Sequence, residues 1–153
     1  MQKAYLALGC FWKPEETFRQ ISGVLETEVG YAGGNSSNTN YEEICTGKTG
    51  HAETVKIIYD EKIIPYEKLL EVFFEIHDPT QKDMQYPDVG TQYRSEIFYE
   101  NEQQKKMAEQ CKNLSSGKFD KKIETKISKI KNYCTAEEYH QKYIMKKINN
   151  VFG

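Results

Sequence analysis

Apolar positions along the chain recur with two different periods. Lys3–Gly9 is a short, nearly continuous apolar run, a length that predicts a buried strand. Val24–Tyr31 alternates well enough to predict a second strand, and Thr54–Asp60 a third, with Val55, Ile57 and Tyr59 on one face. Arg94–Glu100 reads as another, and Ile123, Thr125 and Ile127 mark one more. Helical spacing predicts a helix from Phe11 to Gln20, with Pro14 tolerated in its first turn. Pro65 opens a second helix whose apolar positions are Leu69, Leu70, Phe73 and Phe74. A third spans Asn101–Ser115, with Met107, Ala108, Cys111 and Leu114 on one face, and Ala136–Lys147 is expected to close the chain as a fourth.

Between these elements, Ala32–Asn40 is rich in Gly, Asn and Ser and reads as a loop. His77–Tyr93 carries Pro79, Pro87 and Gly90 and reads as a long irregular loop, a kind of segment that is usually functional in a compact domain. Neither a repeat nor a low-complexity linker divides the chain, so one domain over 1–153 is expected. Strands and helices alternate, with neighbouring strands expected to run antiparallel. The predicted fold is an α+β two-layer sandwich. A length of 153 residues suffices for one core, and 38% hydrophobic with 12% aromatic residues excludes a disordered chain.

The net charge of −2 gives no overall electrostatic footprint for nucleic acid. The balance is uneven: Lys118–Lys147 holds nine lysines and four acidic residues and so carries +5, against −7 elsewhere. A solvated lysine-rich face is the plainer reading, and an RNA- or partner-binding patch the rarer one. No apolar run reaches the length of a membrane span. The opening MQKAYLALGCFW has one lysine and too short an apolar stretch for a secretory signal, so a cytoplasmic protein is expected. Cysteines stand at 10, 45, 111 and 134 with no C-x-x-C pair, which excludes a zinc ribbon and a thioredoxin-type dithiol. No metal ligand cluster is present, and one reactive thiol among inert ones is the best expectation.

Cys10 is the candidate for that thiol. It falls between a strand and a helix, where unpaired N–H groups and the helix dipole favour an anion, and this predicts a lowered thiol pKa. An inert buried cysteine is the alternative. Phe11 and Trp12 could wall an apolar pocket for a small methyl-bearing group, or simply pack in the core. In YEEICTGKTGHAE (41–53) Gly47 and Gly50 punctuate a turn and Glu53 stands where a strand begins. Desolvation there would raise its pKa and make it a usable acid, although a glutamate at a strand edge is usually only solvated. Asp88, Gln92 and Tyr93 can project from one loop around Gly90, and each is weak evidence singly.

Taken together, GCFW (9–12), GYAGG (30–34), YEEICTGKTGHAE (41–53), FFEIHDPTQ (73–81), DVGTQYRSEIFY (88–99) and AEEYHQKY (136–143) resemble the methionine sulfoxide reductase A family. These are the peptide-methionine (S)-S-oxide reductases, and the stretches occur in family order over nearly the whole chain. The resemblance implies that Cys10 is the nucleophile that attacks the sulfoxide sulfur and becomes a sulfenic acid. It implies that Glu53 protonates the oxygen, that Tyr41 and Tyr93 hydrogen-bond it, and that Phe11 and Trp12 hold the substrate methyl group. Asp88 matches a loop carboxylate that orients the site. The implied fold is an elaborated ferredoxin-like core with a mainly antiparallel sheet. Expected partners are oxidised methionine, free or in proteins, and a thiol reductant such as thioredoxin or glutaredoxin. No cofactor, metal, nucleic acid or membrane is expected, and a monomer is.

The chain departs from the family in two places. Many relatives carry resolving cysteines in a glycine-rich tail, whereas no cysteine follows Cys134 here. Cys134, just before AEEYHQ, is the internal candidate for resolution, and a single-cysteine cycle is the other expectation. Met84 and Tyr86 also differ from the commonest loop sequence. Two rival readings stay open: a hydrolase or acyltransferase pairing Cys10 with His51 or His140, and a non-catalytic module that binds oxidised methionine.

Overall fold

The computed structural model describes residues 1–152 and contains eight strands and five α-helices. In chain order these are β1 (Gln2–Leu8), α1 (Trp12–Arg19), β2 (Val24–Ala32), α2 (Tyr41–Cys45), β3 (Ala52–Tyr59) and α3 (Tyr66–Glu75). There follow β4 (Met84–Gln85), β5 (Asp88–Val89), β6 (Ser95–Tyr99), α4 (Glu102–Ser116), β7 (Lys126–Lys129), β8 (Cys134–Thr135) and α5 (Tyr143–Phe152). Six strands form one sheet in the order β7-β6-β1-β3-β2-β8, while β4 and β5 pair separately as a small hairpin. Within the large sheet only β6 and β7 run parallel, so the fold is mixed α/β with a mostly antiparallel sheet.

Period-two alternation sorts the sheet's side chains onto its two faces. Leu6, Val29, Val55, Ile57 and Ile97 face the helices and join Phe18 of α1, Leu69, Leu70, Phe73 and Phe74 of α3, and Ala108 and Cys111 of α4 in the main core. The opposite face buries a smaller cluster of Tyr5, Ala7, Ala32, Ala52 and Phe98 under Ile130 and Tyr133. Each fully buried leucine or phenylalanine side chain contributes roughly 1.5–3 kcal/mol, so the helix-covered face carries most of the apolar stabilisation.

Three expectations need correction. Ala136–Lys147 is not one helix: Glu138–His140 is a single 3-10 turn, Lys142 has φ +50°, and α5 starts only at Tyr143. The cause is long-range. Ala136 N–H donates to Val29 O at 3.0 Å, and the Gln141 side chain bonds both the N–H and the carbonyl of Val29, each at 2.9 Å. These bonds tie the segment to β2 and outweigh its helical pattern. Ile123 and Thr125 are buried but precede β7 rather than forming it. The loop before β6 is more ordered than its composition suggests, holding the β4–β5 hairpin and a 3-10 turn over Thr91–Tyr93.

One short helix escaped the pattern. In α2, Asn40 caps the first turn by accepting the Glu43 N–H at 2.9 Å. Asn40-x-x-Glu43 is a helix-start signature of the capping type, and it is the signal that could have located α2.

Candidate active site

Antiparallel order brings the C-terminal ends of β1 and β2 to the same end of the sheet as the N-terminal ends of β3 and β6. The sequence-predicted residues gather at that end. Gly9, with φ +98°, turns the chain out of β1, a conformation that L side chains rarely adopt. The half-buried Cys10 comes next, followed by Phe11 as the N-cap residue of α1 and Trp12 as its first helical residue. On β3, Glu53 occupies the row that Val55 and Ile57 fill with hydrocarbon, and it is 2% exposed. Its Oε1 accepts the Phe11 backbone N–H at 3.3 Å, one residue from the thiol.

Electrostatics make this carboxyl an acid. Burial pushes the Glu53 pKa up to about 8, opposed by the Phe11 hydrogen bond and reinforced by Asp88. The carboxyl therefore keeps its proton at neutral pH. Cys10 runs against expectation. Burial raises its thiol to about 11; the Trp12 backbone N–H turned toward it works the other way, and Glu53 and Asp88 add to the rise. The favourable end of α1 does not outweigh this desolvation.

Tyr93 ends the 3-10 turn before β6, and its hydroxyl is pushed up to about 12 by burial and then by Glu53, Asp88, Cys45 and Cys10. Tyr41, at the start of α2, is raised by a hydrogen bond with the Cys45 thiol and by burial, with Tyr93 and Glu53 also nearby. Cys45, which ends α2 and has no role expected from the sequence, raises both tyrosine hydroxyls. Asp88 lies on β5, at the rim of a cleft of about 410 Å³ that also exposes Cys10, Pro14, Ile76, Gln85 and Tyr86. Met84 pairs with Val89 in the hairpin behind it.

Aromatic rings pack around Phe11 and Trp12. The Trp12 indole stacks on Tyr143 with centroids 3.8 Å apart, and Phe11 lies 5.8 Å from Tyr31 and 5.1 Å from His140. His140, 2% exposed, was considered in the sequence only as a base for Cys10. Its Nδ1 instead accepts the Trp12 indole N–H at 2.9 Å. His51 is also committed elsewhere, with Nδ1 on the Gly34 N–H at 3.2 Å and Nε2 on the Ser36 carbonyl at 2.6 Å. With Nδ1 taken by the indole N–H, a neutral His140 carries its proton on Nε2 and offers Cys10 no base, and both ring nitrogens of His51 are engaged elsewhere.

The remaining cysteines are set apart. Cys111 is buried on α4 in the main core. Cys134 lies in β8 opposite Tyr31 of β2, and β2 and β3 separate it from β1. Three inter-strand spacings, about 14 Å, thus separate β8 from β1, the strand that leads into Cys10. Among the described residues no group of His, Cys, Asp and Glu is arranged to hold a metal ion, and no helix is long and apolar enough to cross a membrane.

The geometry has close counterparts. The family described as peptide methionine sulfoxide reductase matches residues 2–152. Peptide methionine sulfoxide reductase MsrA of Pelagibacter ubique is 54% identical over 147 residues, covering 96% of this chain and 100% of the relative. The crystal structure of reduced Mxr1 from Saccharomyces cerevisiae superimposes with a TM-score of 0.91 at 38% identity, covering 95% of this chain and 84% of the yeast chain. Mxr1 in complex with Trx2 aligns with a TM-score of 0.66 at 28% identity, over 93% of this chain and 84% of that one. The likeness extends over nearly the whole chain, and the chain belongs to the peptide methionine sulfoxide reductase family, a family of oxidoreductases.

Proposed function

We propose that the chain reduces methionine-S-sulfoxide, free or within proteins, with Cys10 as nucleophile and Glu53 as acid. One observation carries this reading: a buried carboxyl raised to about 8 and bonded to the backbone N–H that follows Cys10. Sulfoxide oxygen leaves poorly unless it is protonated, and a neutral acid beside the nucleophile supplies that proton. The Cys10 sulfur bonds to the sulfoxide sulfur while Glu53 gives its proton to the oxygen. As the sulfur–oxygen bond breaks, the oxygen passes to Cys10, methionine leaves as the thioether, and the displaced thiol proton restores Glu53. Tyr41 and Tyr93 supply hydroxyls for the oxygen, Phe11 and Trp12 hold the methyl group, and Asp88 helps orient the site.

The product is a sulfenic acid on Cys10, a reversible state that thiols clear. Two equivalents of thiol return Cys10 and leave a disulfide and water. A thioredoxin- or glutaredoxin-like reductant fits this step, and the solved complex of yeast Mxr1 with Trx2 supports the thioredoxin type. The seating of Cys134 in β8, with β2 and β3 between it and β1, favours direct clearance over a Cys10–Cys134 disulfide. We also read the sheet with α1, α3 and α4 as an elaborated ferredoxin-like two-layer core, because β3 is seated between the strands of the β1–α1–β2 unit.

Turnover of methionine sulfoxide with dithiothreitol tests the proposal. Wild type is expected to produce methionine and Cys10→Ser none. Activity of Cys10→Ser comparable to wild type would overturn the assignment, and inactive wild type would favour a binding module.

A further inference from the structure

His140 is buried among rings: Tyr139 lies 4.1 Å, Tyr41 4.9 Å, Phe11 5.1 Å and Trp12 5.7 Å from it, centroid to centroid. To accept the Trp12 indole N–H, Nδ1 must be unprotonated, so a neutral ring carries its proton on Nε2. That Nε2 is buried and has no hydrogen-bond partner among the described residues. An apolar side chain would fill the space without an orphaned donor. The polar service the imidazole performs here is therefore its acceptor toward Trp12.

We infer that His140 is a positioning residue whose neutral imidazole holds the Trp12 indole in place as a wall of the substrate pocket and releases it when protonated. The inference rests on the reading of Phe11 and Trp12 as the wall that meets the substrate methyl group. Protonation places an N–H on Nδ1 against the indole N–H, so the bond cannot survive it.

The groups facing His140 set where this occurs. Burial holds its pKa below the ordinary value, and Glu137, in its own turn, works the other way. Glu137 is already engaged, with Oε1 accepting the Tyr31 hydroxyl and Oε2 the Tyr41 N–H, each at 2.9 Å. From α1 it meets Phe11 and Trp12, from α2 Tyr41, and beyond the indole lies Tyr143 of α5. None of these carries charge near neutral pH. The transition therefore lies below about pH 6.5.

Trp12 is the single tryptophan of the chain, so its emission reports this bond directly. Emission, far-UV circular dichroism, and kcat and KM for methionine sulfoxide with dithiothreitol would be followed from about pH 8 to about pH 5. Wild type, His140→Asn and His140→Leu would be compared. Asparagine can place an amide oxygen where Nδ1 stands and does not titrate. Wild type is expected to show one emission transition below about pH 6.5, with KM rising through it and kcat moving far less. His140→Leu should raise KM about ten-fold at neutral pH. His140→Asn should recover most of that loss and remove the acid transition in both emission and KM.

Flat emission and flat KM in a folded wild type would overturn the inference, as would an unchanged acid transition in His140→Asn. Emission that titrates while KM stays flat would also overturn it, by separating the indole from substrate binding. A wild type that makes no methionine at any pH would overturn the functional reading itself, and emission would still decide the His140–Trp12 link.

Discussion

Glu53 and Glu96 lie on opposite faces of the same sheet, 2% and 4% exposed, on strands separated only by β1. Glu96 shares its face with Arg94, whose Nε meets its Oε1 at 2.7 Å. The same guanidinium donates to the Thr91 and Gly50 carbonyls at 2.9 Å each. This pair fastens the loop before β6 to the turn before β3. Glu53 faces the hydrocarbon side, has no cation beside it, and takes a single backbone N–H at 3.3 Å. A third buried carboxylate, Glu15, is satisfied by Thr27 Oγ1 at 2.9 Å and the Lys142 N–H at 2.7 Å. Burial alone does not make an acid: a carboxylate given a partner holds structure, and one denied it keeps its proton for chemistry.

Exchanging each glutamate for its amide is the sharpest way to break this contrast. Glu53→Gln should slow single-turnover reduction by about 100- to 10,000-fold, measured as methionine release before recycling. Glu96→Gln should leave that rate within a few-fold but lose about 3 kcal/mol in denaturant unfolding, because Arg94 remains buried without its counter-charge. A similar catalytic loss in both would erase the distinction.

The pH dependence follows from the same contrast. With Glu53 raised to about 8, the chemical rate should fall as pH rises past that value, and the fall should vanish in Glu53→Gln. Stability has a definite sign here. The folded state holds this proton more tightly than the unfolded chain, whose glutamate titrates near 4.3. The contribution is complete at low pH and is lost as pH rises through about 8. Glu53→Gln should accordingly unfold at higher denaturant than wild type above that pH, by on the order of 1–3 kcal/mol.

Smaller effects should come from the neighbours. Tyr41→Phe and Tyr93→Phe each remove one donor and should slow the single turnover by about ten-fold. A larger loss in Glu53→Gln than in either would keep Glu53 as the principal acid. Smallest of all, Cys134→Ser should alter the single turnover by no more than about two-fold, and oxidised wild type should show no Cys10–Cys134 disulfide by peptide mapping.

Much of this was legible because it is local. Strands β1, β2, β3 and β6 and helices α3 and α4 follow from periods of two and 3.6. Glu53 was legible as a candidate acid where a strand begins, but with the strand read from Thr54 its place in the apolar row of Val55 and Ile57 came only with the structure. What escaped was set by distant partners. Nothing local in AEEYHQKY indicates that Gln141 and Ala136 bond the backbone of Val29, so a helical pattern yielded an extended segment with one 3-10 turn. The bond between Trp12 and His140 spans 128 residues and has no signature in either neighbourhood. The acidity of Cys10 was misjudged for the same reason: the helix start is local, whereas the burial and the nearby carboxylates come from β3 and β5.

The central claim is that Cys10 takes the sulfoxide oxygen while Glu53 protonates it, and a reductant-free single turnover tests it most directly. Methionine-S-sulfoxide would be mixed with wild type and Glu53→Gln, methionine release timed, and each oxidised cysteine trapped and mapped by mass spectrometry. The account predicts about one methionine per chain and a sulfenic acid on Cys10 alone in both proteins, formed about 100- to 10,000-fold more slowly in Glu53→Gln. An oxygen mapped to another cysteine, or a burst equally fast in both proteins, would contradict it.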